Sequence, residues 1–250
     1  FLPKLKIGFE FNGLYWHSEK FKDAQYHYEK TKFYEMSGIR IVHIWEDEWI
    51  YKKDIVKSII SNCLGKSDRK IWARNCKVQE IKDGSDFDFL EKNHIQGKIN
   101  SLIKLGLFYN GELVSLMTFG NLRKSLGSEK KNGHFEMLRF CNSLNTNVVG
   151  GFSKLFEHFK RNYKFDKIIS YCDISKYSGN VYQKSEFKLI GETKPNYYYI
   201  KKNKRFHRFG FRKSVLVKSG ACEKLTEREI MSQMGHYRIY DCGSKKYIYC

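Results

Sequence analysis

Proline is nearly absent from this sequence, at two in 250 residues, and acidic residues are scarce beside basic ones. So little proline, with a hydrophobic fraction of 41%, excludes a proline-rich disordered chain and indicates a folded one. No run of about 18 apolar residues exists, which excludes a transmembrane helix, and no signal-peptide pattern opens the chain. The seven cysteines (63, 76, 141, 172, 222, 242 and 250) contain no C-x-x-C pair. An odd count without zinc-finger spacing reads as reduced, mostly buried thiols of an intracellular, cytoplasmic protein. The first residue is Phe1 rather than methionine, which points to a segment upstream.

What the sequence does hold is positive charge. Forty-six Lys and Arg stand against 27 Asp and Glu, a formal net charge of +19 that suits a polyanion. The excess is uneven: residues 1–70 carry 13 basic and 10 acidic side chains, whereas Lys201 to Lys218 include eight basic residues and no acid. An anionic membrane attracts such charge too, but no amphipathic anchor accompanies it. The expected partner is therefore double-stranded DNA, with no membrane. Asn196-Tyr197-Tyr198-Tyr199 leads into Lys201, Lys202, Lys204, Arg205, His207, Arg208, Arg212 and Lys213, interleaving aromatic with cationic side chains. The cations are expected on phosphates and the aromatics on exposed bases. The plainer alternative is a strand with core tyrosines and a solvated tail.

Periodicity organises the rest. Lys4–Phe11 alternates as a strand, and 18–37 has helical character with Phe21, Tyr28, Phe33 and Met36 on one apolar side and Gly38 as its stop. Ile39–Trp45 reads as an apolar strand and 46–64 as one helix, giving a β-α-β-α unit. A polar break at Lys66–Arg69 places a boundary near 66–72. Beyond it come strands at 72–81, 101–109, 113–119 (across the Asn110-Gly111 turn) and 135–140, with a helix at 87–93. A helix over 152–163 follows Gly150-Gly151, then a strand at 168–172, a short helix near 181–185, and strands at 188–190 and 197–201. Thr226-Glu227-Arg228-Glu229 is a capping box, and 236–240 and 245–249 flank Asp241–Ser244 as a hairpin. Three segments result: 1–65, 66–218 and 219–250.

Chemistry-bearing residues crowd the first segment. Glu10 precedes a glycine turn, His17 follows seven residues later, His27 and Lys30 lie on the next helix, and His43 and Glu46-Asp47-Glu48 close the second strand. Glu10 is a hard oxygen donor for Mg²⁺. His17 and His27 can move protons, and Lys30 can steady developing negative charge, as phosphodiester hydrolysis requires. Each has a bland counterpart: a solvated Glu10, a core His43, core Tyr15 and Trp16, and acids 46–48 favoured by a helix N-terminus.

The strings IGFEFNGLYWHSEKF and YHYEKTKFYEMSGIRIVHIWEDEW are similar to the very-short-patch-repair (Vsr-like) endonuclease fold, especially phage and intron-associated homing endonucleases of the EDxHD type. The likeness spans about Leu2–Trp49. It implies an α/β, PD-(D/E)xK-like nuclease core, a catalytic role for His17, a site position at Glu10 and a phage-encoded origin. The family's later acidic position falls on His27, and its principal metal-binding Asp lies on a strand before Phe1. Residues 71–217 resemble the GNAT (N-acetyltransferase-like) fold through Val149-Gly150-Gly151-Phe152-Ser153-Lys154-Leu155 and Val181-Tyr182-Gln183-Lys184-Ser185-Glu186-Phe187. In that fold such a glycine turn offers backbone N–H groups to the acetyl-CoA pyrophosphate. The leading expectation is thus a Mg²⁺-dependent DNA endonuclease core followed by a GNAT-like α/β domain that serves DNA binding or as a scaffold rather than acyl transfer. Two others stand beside it: a GNAT-type acyltransferase acting on nucleic acid or protein, and a catalytically inactive DNA-binding module.

Overall fold

β-Branched and aromatic runs separated by glycine and asparagine turns give this chain fourteen short strands among its described residues. A computed structural model describes residues 1–123 and 131–250. After a 3-10 turn at Pro3–Leu5 come β1 (Ile7–Asn12), α1 (Tyr26–Met36), β2 (Arg40–Trp45), α2 (Glu46–Tyr51) and α3 (Lys53–Cys63). Then follow β3 (Arg69–Trp72), β4 (Lys77–Glu80), α4 (Ser85–Asn93), β5 (Ile103–Tyr109), β6 (Glu112–Asn121), β7 (His134–Asn142) and β8 (Thr146–Val149). The remainder holds α5 (Gly151–Asn162), β9 (Lys167–Asp173), α6 (Asn180–Lys184), β10 (Lys188–Glu192), β11 (Tyr197–Lys201) and β12 (Lys204–His207). It ends with α7 (Lys213–Lys218), α8 (Glu227–Gln233), β13 (Arg238–Tyr240) and β14 (Ser244–Tyr249). Among the described residues no helix is long and apolar enough to cross a membrane.

Two compact units form. The first gathers Phe1–Tyr51, Asp173–Ser178 and Glu192–Ser244; the second gathers Lys52–Cys172, Gly179–Gly191 and Lys245–Cys250. Residues 52–65 of the expected first segment therefore belong to the second unit, and most of 219–250 belongs to the first. The expected single helix over 46–64 is two helices, broken at Lys52 (φ −135°, ψ 37°), where the units also divide.

In the first unit β1 and β2 pair in parallel, from Ile7↔Arg40 to Asn12↔Trp45. β11 runs antiparallel between β12 and β13 in a three-stranded sheet. Leu14, Trp45 and Ile239 form one small core, and Tyr199, Leu216, Ile230 and Met231 another. The Thr226 capping box opens α8 as its sequence implies: Thr226 Oγ1 accepts from Glu229 N and the Glu229 carboxylate accepts from Thr226 N. The helix expected from residue 18 starts only at Tyr26, because Ser18 bridges to Ile239 and donates to the Tyr15 carbonyl. Its buried face is polar, carrying His27 and Thr31, while Phe33 and Met36 point to solvent. The expected C-terminal hairpin does not form either. β13 pairs with β11, whereas β14 lies between β10 and β9 in a different sheet.

The second unit is built on a seven-stranded sheet in the order β10-β14-β9-β7-β6-β5-β4. From β4 to β7 neighbours are antiparallel. The β5–β6 turn places both Asn110 (φ 50°) and Gly111 (φ 82°) in the left-handed region that a two-residue hairpin turn demands. β7 and β9, by contrast, are parallel. Helix α5 covers one face, burying Phe152, Leu155, Phe156 and Phe159, with Phe159 stacked on Phe119 at 3.8 Å.

Candidate functional site

In the first unit the sequence-predicted residues do come together. Lys30 Nζ donates to Glu10 Oε1 at 2.7 Å, and His17 Nδ1 lies 2.8 Å from His27 Nε2. Thr31 donates to the His27 carbonyl (2.7 Å) and so accepts from His43 Nε2 (2.8 Å); this leaves His43 Nδ1 to accept from Asn12 Nδ2 (3.1 Å). His43 is thereby a neutral imidazole in a fixed tautomer. Burial drives the His27 imidazole down to about 3, with the neighbouring His17 adding to the effect. Burial also holds His43 well below its ordinary range and lowers the half-exposed His17. The set is a hydrogen-bonded polar cluster in which Glu10 Oε2 and Asn12 Oδ1 are buried without a hydrogen-bond partner.

It is not a Mg²⁺ site. Among the described residues no group of three or more His, Cys, Asp or Glu side chains is arranged to hold a metal ion. Glu10 contributes the cluster's one carboxylate, already engaged by Lys30, and neutral imidazoles are not the hard oxygen set that Mg²⁺ takes. Tyr15 and Trp16, expected in the core, are exposed.

The predicted DNA-binding residues divide. Lys201, Lys202, Lys204, Arg208, Arg212 and Lys213 are exposed along β11, β12 and the start of α7. Arg205 is not free to meet a phosphate. Its Nε bonds Asp47 Oδ1 (3.0 Å), its Nη2 bonds Glu48 Oε1 (2.9 Å), and its guanidinium lies 4.6 Å from the Trp45 ring centroid. Lys176 Nζ completes this cluster on Glu48 Oε2 at 2.7 Å. Tyr197 and Tyr199 both donate to Glu227 Oε1, so they are structural rather than base-stacking groups. The exposed ring in this stretch is Phe209, with the Arg212 guanidinium 3.5 Å from its centroid.

In the second unit the sheet forks. β7 and β9 pair only over His134–Met137 and Lys167–Ser170. The cause is on the other edge of β7: Phe119 pairs with Met137 and Thr118 with Arg139, so Leu138 is an extra, bulged residue that turns β7 away from β9. Beyond Met137 the β7 backbone has no β9 partner. The start of α5 packs at this fork through Phe152, whose ring lies 5.1 Å from Phe140 on β7. Gly150 (φ 78°) makes the turn into the helix, whose first N–H groups have no intrahelical acceptor. Tyr182 of α6 packs on Phe152 at 5.6 Å and shares a 2.9 Å hydrogen bond with the Ser170 hydroxyl, which also donates to the Met137 carbonyl. Burial raises the Tyr182 phenol, keeping it protonated at neutral pH. Glu136, almost wholly buried on β7, is paired with Arg123.

Gly150-Gly151 and Tyr182 stand within stretches that the sequence singled out; Glu136, Ser170 and the Leu138 bulge do not. A bulge depends on the pairing of two strands and leaves no local signature in either.

A model of the Mom protein family matches residues 75–250. No curated protein matches the chain. Among solved structures, a GNAT family acetyltransferase from Elizabethkingia anophelis with acetyl-CoA bound is 12% identical, covering 70% of this chain and 97% of that one at a TM-score of 0.41. The IAA acetyltransferase from Bacillus cereus ATCC 14579 is 12% identical over 69% of this chain and 97% of its own, at 0.39. An N-acetyltransferase from Staphylococcus aureus Mu50, 13% identical, covers 36% of this chain, which spans 62% of that protein, at 0.29. These comparisons return acetyltransferases and the Mom protein family where a Vsr-like nuclease was expected. The Mom family match, and the absence among the described residues of any side-chain group arranged to hold a metal ion, correct the homing-endonuclease assignment with its hydrolase chemistry and Mg²⁺. The protein has a mixed α/β fold. Matched over more than two thirds of its length by a single family model, the chain belongs to the Mom protein family.

Proposed function

We propose that this protein transfers an acyl group from a thioester donor of the acyl-CoA type to an amino group on DNA, at the fork between β7 and β9. The observation that carries the reading is the parting of two parallel strands at a bulge, with a glycine-capped helix starting beside the gap. Backbone N–H and C=O groups of β7 past Met137 offer hydrogen bonds to an amide-bearing chain. The first turn of α5 offers N–H groups and the positive end of its dipole to phosphates. When bound, such a donor supplies an activated carbonyl. In this reading Glu136 takes up the proton that the attacking amine loses, and Tyr182 gives one to the departing sulfur.

DNA as acceptor rests on the net charge of +19 and on the exposed cations at Lys201, Lys202, Lys204, Arg208, Arg212 and Lys213. Glu10, His17, His27 and Lys30 have a positional role in this reading: they fix α1 over β1 and β2.

Two measurements test it on the full chain. Calorimetry with acetyl-CoA should give saturable binding. Incubation with plasmid DNA and acetyl-CoA, followed by digestion and mass spectrometry, should yield an acetylated nucleoside, with Tyr182→Phe slowing its formation about 100-fold. Absence of both donor binding and modified nucleoside overturns the proposal.

A further inference from the structure

The loop between β1 and α1 displays three aromatic rings. Tyr15, Trp16 and Phe21 are 48%, 65% and 46% exposed, with centroids 5.0–5.2 Å apart. Exposure of this size on three adjacent large side chains is uncommon unless the surface binds something. The loop is firmly built: His17 N donates to the Gly13 carbonyl, Ser18 Oγ to the Tyr15 carbonyl, and Glu19 N to the Arg238 carbonyl. Its rings are therefore presented in a fixed arrangement.

Beside them, within the same unit, lies a cavity of about 290 Å³. Leu14 and Ile200 are its apolar lining, Tyr15 and Tyr237 supply aromatic surface, and Lys202, Asn203 and Glu46 add polar groups. That size matches the small end of ligand clefts, about 300 Å³. Lys20 Nζ sits over two of the rings, 4.6 Å from the centroid of Tyr237 and 5.4 Å from that of Tyr15. Aromatic surface, a small cleft with amide and carboxylate acceptors, and ammonium groups alongside match the parts of one ligand: a flat heterocycle carrying N–H donors on a phosphate backbone.

We propose that this cavity and the Tyr15–Trp16–Phe21 group adjoining it through Tyr15 accept an unpaired nucleobase of DNA, Trp16 stacking on its face and Tyr15 meeting its edge while Lys20 and Lys202 meet the adjoining phosphates. The inference rests on DNA being the partner, as proposed above. It adds a base-holding site in the first unit, separate from the fork.

The test compares a fully paired duplex with one carrying a single unpaired base, each titrated into the full chain. Wild type should bind the second about 5- to 100-fold more tightly, the range that base–aromatic stacking supplies, with quenching of tryptophan fluorescence. Trp16→Ala and Tyr237→Ala should each erase most of that preference while keeping the affinity for paired duplex and the thermal unfolding curve. Equal binding of the two duplexes by wild type overturns the base site alone. A preference that survives in both variants also overturns it, as does Trp16-dependent binding to anionic lipid vesicles in place of DNA. Failure to bind either duplex overturns the DNA reading together with it.

Discussion

Replacing Arg205 by alanine separates two meanings of the basic stretch, because this one cation lies inside an ion cluster instead of on the surface. Its guanidinium serves Asp47 and Glu48, and all three side chains are only 11–12% exposed. Removing one member of such a buried set costs about 3–5 kcal/mol, mostly from the charges left unpaired. Here the lower end applies. Asp47 still accepts from the backbone N–H groups of residue 205 and Glu48, and Glu48 still holds Lys176 and the Trp45 N–H. Loss of the contact with Trp45 adds about 1 kcal/mol, for a total near 3–4 kcal/mol. With a urea m-value of about 1–3 kcal/mol per M, the first unit's midpoint should fall by 1 M or more. Tryptophan fluorescence reads it well, since Trp16, Trp45 and Trp49 belong to that unit. Burial works to raise the Glu48 carboxyl, yet Lys176 and Arg205 outweigh it and hold the group below its ordinary range. That contribution is present above the unfolded-state pKa and is lost as pH falls through the folded one. Acid unfolding of Arg205→Ala should therefore begin at a higher pH. DNA affinity at a pH where the variant is folded should keep its salt dependence, whereas Lys202→Ala or Lys204→Ala each lowers the slope by about one unit. An unchanged urea midpoint together with a reduced salt slope would refute the reasoning, by showing that Arg205 meets phosphate.

Three further outcomes follow from the packing. His27 is neutral when folded down to about pH 3, whereas the unfolded chain takes up its proton near 6.5. Stability should therefore fall as pH drops below 6.5, His27 alone contributing roughly 2 kcal/mol at pH 5 and the buried His43 acting in the same direction; a flat urea midpoint between pH 7 and 5 contradicts this, and His27→Gln should make the profile shallower without abolishing it. Gly111→Ala meets no neighbouring atom but must hold φ 82°, so it should cost about 1–2 kcal/mol in denaturant titration of the second unit, and a neutral result would mean the turn adopts another conformation. Phe159→Ala empties a site between Phe119, Phe135 and Tyr163 and should cost about 3–5 kcal/mol by the same assay, with a loss under 1 kcal/mol showing that the core collapses around the gap.

Legibility in the sequence followed how local each signal was. The Asn110-Gly111 hairpin, the Thr226 capping box and the strand at Tyr197–Lys201 depend on neighbouring residues and lie where the pattern puts them. The C-terminal pair was misread because alternation and turn residues identify two strands without saying that they pair with each other. Asp241 shows why: its Oδ1 accepts from both Asn196 N and Gly243 N, tying the turn to a segment 45 residues away. The candidate fork is equally non-local. It needs Leu138 to bulge against β6 so that β7 leaves β9, and neither strand betrays this alone.

Helix α1 carries the more general lesson, because its pattern was visible and pointed the wrong way. Phe33 and Met36 suggested an apolar face, yet the helix turns His27 and Thr31 inward. That orientation is stable only because β2 presents His43 as a partner for Thr31, β1 presents Glu10 for Lys30, and the Gly13–Lys22 loop presents His17 for His27. Each buried polar group is tolerable once its partner is in place and costly without it. The same histidines that suggested proton-transfer chemistry have these partners, His17 and His27 bonding each other and His43 bonding Thr31 and Asn12, while Glu10 Oε2 and Asn12 Oδ1 are buried without a hydrogen-bond partner. Histidine and glutamate near one another are common to a nuclease site and to a bonded polar core. What separates the two is whether the donors converge on a vacant point or on each other, and here the bonds made run within the set: Lys30 to Glu10, His17 to His27, and His43 to Thr31 and Asn12.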